Sequence, residues 1–425
     1  MTKHLARIFL LLSAAFLLAY YLPFAWHVLT ARRARVPFVQ YSDTGHGFLF
    51  TRYNISPETR DVSIRYTDAA GRAYERDAFE QMLPLTYFMQ LEKNGAMPKT
   101  INGVKITPSA IRREMWSLRV RPDSLDTPAV PLYTVFETDS GRARLEMPDD
   151  YMRIHKNGRV EFLSPKTNKV LPEKSALYTE AFANAQFAFP VTALGSKPNP
   201  RKSYDEGIYI ADANGQLFRL LQAKGMPRLA RIADTAADPD AWRALRPRHI
   251  IINEIETREL RAFIIDDTGQ PWLVTGKDYR LIKLPVTNYN PTTDSLAIRA
   301  NLLSRLVLLQ KEDSLEAVAL DRNYTVLDRH EEKIESRDQQ PAAKIAKILF
   351  PLRWWLVDSD SGYFGFYTKT GAACSLALNA ILLLGYIIFL KLRRHNLRAQ
   401  LPEYALIAIG GLCGLIAALL VPRVE

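Results

Sequence analysis

Three apolar runs near the two ends of this chain limit what it can fold into. Residues 8–29 are interrupted only by Ser13, Pro23 and His27, and neither residues 372–390 nor residues 404–421 carry a charge. A hydrocarbon core of roughly 30 Å is crossed by about 20 helical residues. The sequence therefore predicts three transmembrane helices, one N-terminal and two C-terminal. Lys3 and Arg7 before an apolar core also suit a cleaved signal peptide. No small-x-small cleavage site follows, and Tyr20, Tyr21 and Trp26 are of the interfacial aromatic kind, so the first run reads as an uncleaved anchor.

The formal charge of +11 is concentrated beside these runs, because residues 1–35 and 372–425 account for eight of the eleven. A basic balance placed there signals topology, and no nucleic-acid partner is expected. Positive residues favour the cytoplasmic side of short loops, and long domains translocate largely regardless of charge. Lys391, Arg393, Arg394 and Arg398 lie in the short loop 391–403. That loop is expected in the cytoplasm, with the third helix returning outside and the large domain periplasmic in a multi-pass bacterial inner-membrane protein. Arg32, Arg33 and Arg35 favour the inverted arrangement. The predicted organisation is an anchor over 1–35, an extracytoplasmic domain over 36–340, a juxtamembrane aromatic segment over 341–371 and a membrane pair over 372–425.

The central region repeats one local pattern, a β-alternating run, an Asp- or Asn-containing turn with Gly, and a second run. It occurs around Gly71, Gly141, Gly158, Gly215 and Gly269, and as AVALDRNYTVL with Asn323 in the glycine's place. Such turns suit residues that take positive φ or bond their own backbone. Gly215, Gly269 and Asn323 are spaced 54 residues apart twice. A near-constant period with several short strands per unit predicts a mainly β, propeller-like repeat domain, with another β-rich fold as the alternative. Helix is expected to be minor, at 78–91, 108–116 and 341–350. Trp354, Trp355, Tyr363, Phe364, Phe366 and Tyr367 make the segment after the last of these an expected membrane-surface collar.

Catalytic patterns are sparse. His46, His155, His249 and His330 form no HxH or HExxH pair, no GxSxG elbow occurs, and Cys374 and Cys413 both fall in predicted membrane helices. Residues 269–277 have too many positions between their glycines for a phosphate loop. Asp266 and Asp267 share their place with Asp68, Asp139, Asp212 and Asp321, which assigns them to turns, and Asp358 with Asp360 lacks a calcium ligand ladder. No cofactor or metal is expected, and no catalytic residue is identified. In the membrane runs, Gly410, Gly414 and Ala418 recur at four-residue spacing on one helix face, Ala373 and Ala377 do so on another, and Asn379 adds a mid-helix polar group. Small residues at that spacing let helices approach closely.

The N-terminal anchor, the repeated Asp-Gly turns, the PLRWWLVDSDSGYFGF stretch and the C-terminal pair with its basic loop together resemble a group of uncharacterised bacterial membrane proteins classed as a domain of unknown function. Members often lie beside genes for ABC-type transporters. The resemblance implies a non-enzymatic accessory or scaffold protein of the cell envelope, with the lipid bilayer and an ABC-type permease and ATPase as partners. A propeller-type envelope hydrolase or lyase and a small-ligand sensor are the alternatives.

Overall fold

The structure, a computed structural model, describes residues 2–30, 36–55, 62–125, 130–336, 339–358, 364–394 and 397–422. The chain divides into a sheet unit, Pro37–Glu332, and a helical unit, Met1–Val36 with Lys333–Glu425. In chain order, helix α1 (Thr2–Thr30) precedes sheet I, made of β1 (Phe38–Ser42), β2 (Gly47–Ile55), β3 (Val62–Asp68) and β4 (Ala73–Tyr74). Helices α2 (Arg76–Gln81) and α3 (Phe88–Lys93), the two-stranded β5 (Thr100–Ile101) and β6 (Val104–Lys105), and α4 (Pro108–Glu114) lead to β7 (Trp116–Val120) and α5 (Pro122–Leu125). Sheet II holds β8 (Tyr151–Ile154), β9 (Val160–Ser164) and β10 (Lys169–Val170), followed by α6 (Pro172–Asn184).

Sheet III holds β11 (Ala193–Gly195), β12 (Ile208–Ala211), β13 (Leu217–Ala223) and β14 (Met226–Arg231), followed by α7 (Pro239–Ala244). Sheet IV holds β15 (Pro247–Ile252), β16 (Leu260–Asp266), β17 (Pro271–Thr275) and β18 (Arg280–Lys283). Sheet V holds β19 (Ser295–Ala300), β20 (Arg305–Gln310), β21 (Ser314–Leu320) and β22 (Val326–Lys333), with β7 added beside β19. The helical unit continues with α8 (Pro341–Leu349), the hairpin β23 (Leu352–Asp358) and β24 (Phe364–Thr370), α9 (Ser375–Leu392), α10 (Leu401–Gly410) and α11 (Leu412–Leu420). The architecture is mixed helix and strand, with more helix than the sequence predicts. The 13-residue α6 lay outside the expected helices. Its face bearing Ser175, Tyr178 and Phe182 covers sheet II.

Turn chemistry builds the sheets. At Asp212, Asp266 and Asp321 the carboxylate Oδ1 accepts the N–H two and four positions on, at 2.7–2.9 Å. The residue three positions on takes positive φ and donates its N–H to the Asp carbonyl. That place is held by Gly71 (φ 82°), Gly215 (74°), Gly269 (86°) and Tyr324 (66°). Asn323 therefore does not replace the glycine: it stands one position earlier as a donor, and the repeats are 54 and then 55 residues apart. The segment around Gly141 forms no strand. In sheet II, His155 takes the Asp position, with Gly158 donating to its carbonyl.

Each sheet is an antiparallel meander of strands adjacent in sequence, apart from β7. Strand β16 is buried along its whole length, whereas β14 and β22 alternate as edge strands do. One apolar cluster joins sheets II and III through Phe162, Phe182 and Phe218, a second joins III and IV through Tyr209, Trp242 and Ile264, and a third joins IV and V through Phe263, Leu296 and Val318. Gly195 of β11 lies so close to β15 that a Cβ there would come within 2.7 Å of the Ile250 carbonyl oxygen. His330 of β22 sits beside Phe48 and Phe50 of β2, which joins V to I. These joints order the sheets II, III, IV, V, I, and no sheet closes on itself among the described residues.

Among the described residues of the helical unit two helices, Lys3–Thr30 and Ser375–Leu392, are long and apolar enough to cross a membrane, not three. The third run is broken at Gly411 (φ 56°, ψ −125°) into α10 and α11. A straight helix would separate Glu403 from Pro422 by about 28 Å. Instead the Arg7 guanidinium pairs with Glu403 and donates to the Pro422 carbonyl at 3.0 Å. The run turns back as a helical hairpin, and the expectation that it crosses to the far side is overturned. Phe16 stacks on Trp354 of β23 at 4.2 Å, and the Trp354 indole N–H donates to the Phe16 carbonyl. The expected positions Arg32, Arg33, Arg35, Asp360 and Tyr363 lie outside the described residues.

Candidate functional site

Two of the loops that follow the first strand of a meander, in sheets III and IV, carry buried charge. Between β11 and β12 the chain reads KSYDEG, and between β15 and β16 it reads NEIETRE. Residues of this kind are buried only when paired. Glu206, fully buried, receives the Arg261 guanidinium on both oxygens at 2.8 Å and the Tyr209 hydroxyl at 2.9 Å. Arg219 donates to the Glu206 carbonyl at 2.7 Å and to the Tyr279 hydroxyl at 2.9 Å. Sheets III and IV are thereby clipped by one carboxylate. Burial, with Glu206 beside it, pushes the Tyr209 hydroxyl far above its ordinary range.

Beside this clip, the Lys202 ammonium donates to Asp205 and to Glu254 Oε1 at 2.6 Å, and it lies 4.5 Å over the Phe136 ring. The Glu206 N–H also donates to Glu254 Oε1, at 2.9 Å. Glu254 Oε2 and the Tyr204 hydroxyl are buried with no hydrogen-bond partner among the described residues. Arg258 covers the Tyr204 ring at 4.3 Å. Burial raises the Glu254 carboxyl above its ordinary range despite Lys202, and it pushes the Tyr204 hydroxyl up to about 12 with Glu206 adding to the shift.

The same device recurs at the next joint. Glu259 accepts Arg305 through Nε at 2.6 Å and Nη2 at 2.7 Å, the Tyr324 hydroxyl at 2.8 Å and the Trp116 indole at 3.2 Å. At the joint of V with I, Asn301 donates to Asp43 at 2.8 Å, and Arg52 grips Glu332 at 2.6 and 2.9 Å. On sheet II, Glu161 gathers Arg153, His155 and Arg159, and hydrogen bonds led by Arg153 hold its carboxyl down to about 2. An open cleft of about 510 Å³ adjoins it, edged by Arg159, Thr179 and Glu180. Apart from His155, sequence reasoning missed these residues; the local signal was the density of acids and bases in the two loops.

The positions singled out from the sequence fall elsewhere. Asp266 accepts Thr268, Gln270 and the Trp272 indole, so it builds its turn. Burial pushes its carboxyl up, and those hydrogen bonds outweigh it to leave the group below its ordinary range. His155 joins Glu161, His330 lies between aromatic rings, and His46 stands in a turn with φ 49°. Among the described residues no group of three or more His, Cys, Asp or Glu could hold a metal ion.

In the helical unit the break at Gly411 puts Gly410 and Gly414 on different helices. A Cβ on Gly414 would stand 2.1 Å from the Leu406 carbonyl oxygen, and Ala418 is buried, so both serve the contact of α10 with α11. A Cβ on Gly410 would meet nothing within 4 Å. Asn379, 2 % exposed, donates to the Ala408 carbonyl at 2.8 Å, near the free end of α10. Ala373 and Ala377 are exposed. Lys391, Arg393, Arg394 and Arg398 are exposed around the start of α10, and Gln400 there accepts from Arg7 at 3.3 Å.

Comparison with known proteins adds a family. The profile described as "Domain of unknown function (DUF4857)" matches residues 38–320, which run from β1 to the end of β21. No curated protein matches the chain. Among solved structures, the chain is similar to the crystal structure of the Myceliophteria thermophila Cps50 (Swd1) beta-propeller domain at 14 % identity and a TM-score of 0.24, over 50 % of this chain and 58 % of that one. It is similar to dihydro-heme d1 dehydrogenase NirN in complex with DHE at 12 % identity and a TM-score of 0.21, over 61 % and 65 % of the two chains. The chain thus spans less than two thirds of either.

Proposed function

The chain belongs to the DUF4857 family, and from that premise we propose that it is a non-enzymatic, membrane-anchored accessory or scaffold protein of the bacterial cell envelope. In this reading the row of meanders is an open propeller-like platform in the periplasm, and α1 and α9 cross the inner membrane. The observation that carries it is how the buried charge is used. Arg261 with Glu206 and Arg305 with Glu259 each tie two sheets together, and the half-buried pair of Arg52 with Glu332 adds a third tie, which is the work of a rigid platform. The topology is supported by Arg7, which gathers Glu403, Gln400 and the Pro422 carbonyl. The start of α1, the basic loop and both ends of the α10–α11 hairpin meet at Arg7, which supports a reading with the positive residues on the cytoplasmic side.

The partner of this proposal is an ABC-type permease with its ATPase, docked on the exposed small-residue face of α9. The test is purification of the tagged full chain in mild detergent, with mass spectrometry of what accompanies it. A permease and ATPase in comparable amount, lost in Ala377→Phe, support the reading. A chain that purifies alone sinks the transporter partnership.

One observation favours the second reading, an envelope hydrolase or lyase. Glu254 keeps one buried oxygen unused and a raised carboxyl, beside Tyr204 and Arg258. Cleavage of an envelope glycan by the purified chain, abolished in Glu254→Gln at unchanged melting temperature, would establish it.

A further inference from the structure

We propose that the helical unit holds one anionic phospholipid, with an acyl chain in the cleft between α1, the β23–β24 hairpin and the α10–α11 hairpin, and with its phosphate on the basic rim at the cleft's end. The cleft has a volume of about 440 Å³, and Leu12, Phe16, Trp354, Phe366 and Ile409 line it. Gly410 lines it as well and leaves it open there, because it has no side chain to fill the space. Among the described residues of the lining, Thr368 alone supplies a side-chain hydroxyl. Such a space takes hydrocarbon, whose burial is favourable for each methylene.

The choice of a lipid over a partner helix comes from charge at one end. The cleft begins at Ile8, next to Arg7, and Arg7 is bonded to Gln400 and paired with Glu403. At that level Lys3 and His4 in the first turn of α1, and Lys391, Arg393 and Arg394 at the end of α9, are all exposed. The acid at this level, Glu403, is fully buried in its pair with Arg7. A ligand fitting both features joins one anionic group to a long apolar chain, and basic residues at a membrane surface attract anionic headgroups.

This inference rests on the membrane reading above but needs no protein partner. The experiment is native mass spectrometry of the full chain purified in mild detergent, with phosphatidylglycerol or phosphatidylcholine added at equal concentration. The wild type should retain one phosphatidylglycerol, about tenfold over phosphatidylcholine. Gly410→Phe should lose both lipids at unchanged helix content by circular dichroism, and Lys391→Gln with Arg393→Gln and Arg394→Gln should lose the preference while keeping chain binding. Equal retention by Gly410→Phe and wild type, or no preference for the anionic lipid, overturns the proposal. Flotation of the same chain with liposomes separates the two readings: a chain that floats but retains no lipid refutes only the site, whereas one that fails to float refutes the membrane placement as well.

Discussion

The two units bury charge for the same purpose but in different density. In the sheet unit Glu206 and Glu259 each have several donors, as Glu259 has Arg305, Tyr324 and Trp116, and the joints repeat along the row. In the helical unit two polar side chains do this work, Arg7 on Glu403, Gln400 and the Pro422 carbonyl, and Asn379 on the Ala408 carbonyl. The difference teaches that redundancy follows surroundings. Sheets present many side chains at a joint, whereas an apolar helix presents few polar ones, each of which then matters individually.

The sharpest way to break this comparison is Arg305→Met, which leaves Glu259 among groups selected to surround a charge. Uncompensated buried charges cost about 3–5 kcal/mol, so chemical denaturation should show a loss of that order. A loss below about 1 kcal/mol would show that the remaining donors suffice and that redundancy is greater than described. Next in size is Gly411→Ala in the helical unit. Its backbone is one that essentially only glycine adopts, and the new Cβ would stand 2.5 Å from Asn379 Oδ1 and 3.1 Å from the Pro351 ring. Strain of about 1–3 kcal/mol is expected, read as a lowered melting temperature in detergent. An unchanged melting temperature would argue that the hairpin turn is not at Gly411.

How much of this could be read in the sequence depends on whether the signal was local. The Asp turns were legible because an Asp, its donors and the positive-φ residue sit within five positions. Even so, Asn323 attracted the assignment that belongs to Tyr324, since asparagine is the more usual residue with positive φ and tyrosine is not. Hydropathy marked residues 404–421 as apolar but could not show the reversal at Gly411, because a half-length hairpin and a full crossing have the same composition. The joints were illegible for a simpler reason: Arg261 and Glu206 are 55 positions apart, and Arg52 and Glu332 are 280 apart. No window along the chain contains both partners.

Smaller effects sharpen the sheet side. Glu161 has a carboxyl held at about 2 against an ordinary value of 4.5, so its stabilisation is present above about 4.5 and is lost as pH falls toward 2. The unfolding midpoint should drop across that window, and Glu161→Gln should flatten the drop. An identical acid profile in the variant would assign acid sensitivity to other carboxylates. Smallest of all, Asp321→Ala should cost about 1 kcal/mol through its two backbone acceptor bonds, while Asn323→Ala should cost under about 0.5 kcal/mol. The reverse order would return the turn's special position to Asn323.

The pairing of Arg7 with residues near 400 also sets an order of events during synthesis. Chains are made from their first residue onward, and domains fold as units as they emerge. The guanidinium on α1 is made early, while Gln400 follows 393 positions later. Until then α1 carries a cation without its final partners, and the whole sheet unit is completed while it waits. The helical unit therefore closes last, as a late step that depends on the final stretch of chain, and a chain halted between residues 332 and 400 would carry a finished sheet unit with α1 unlatched.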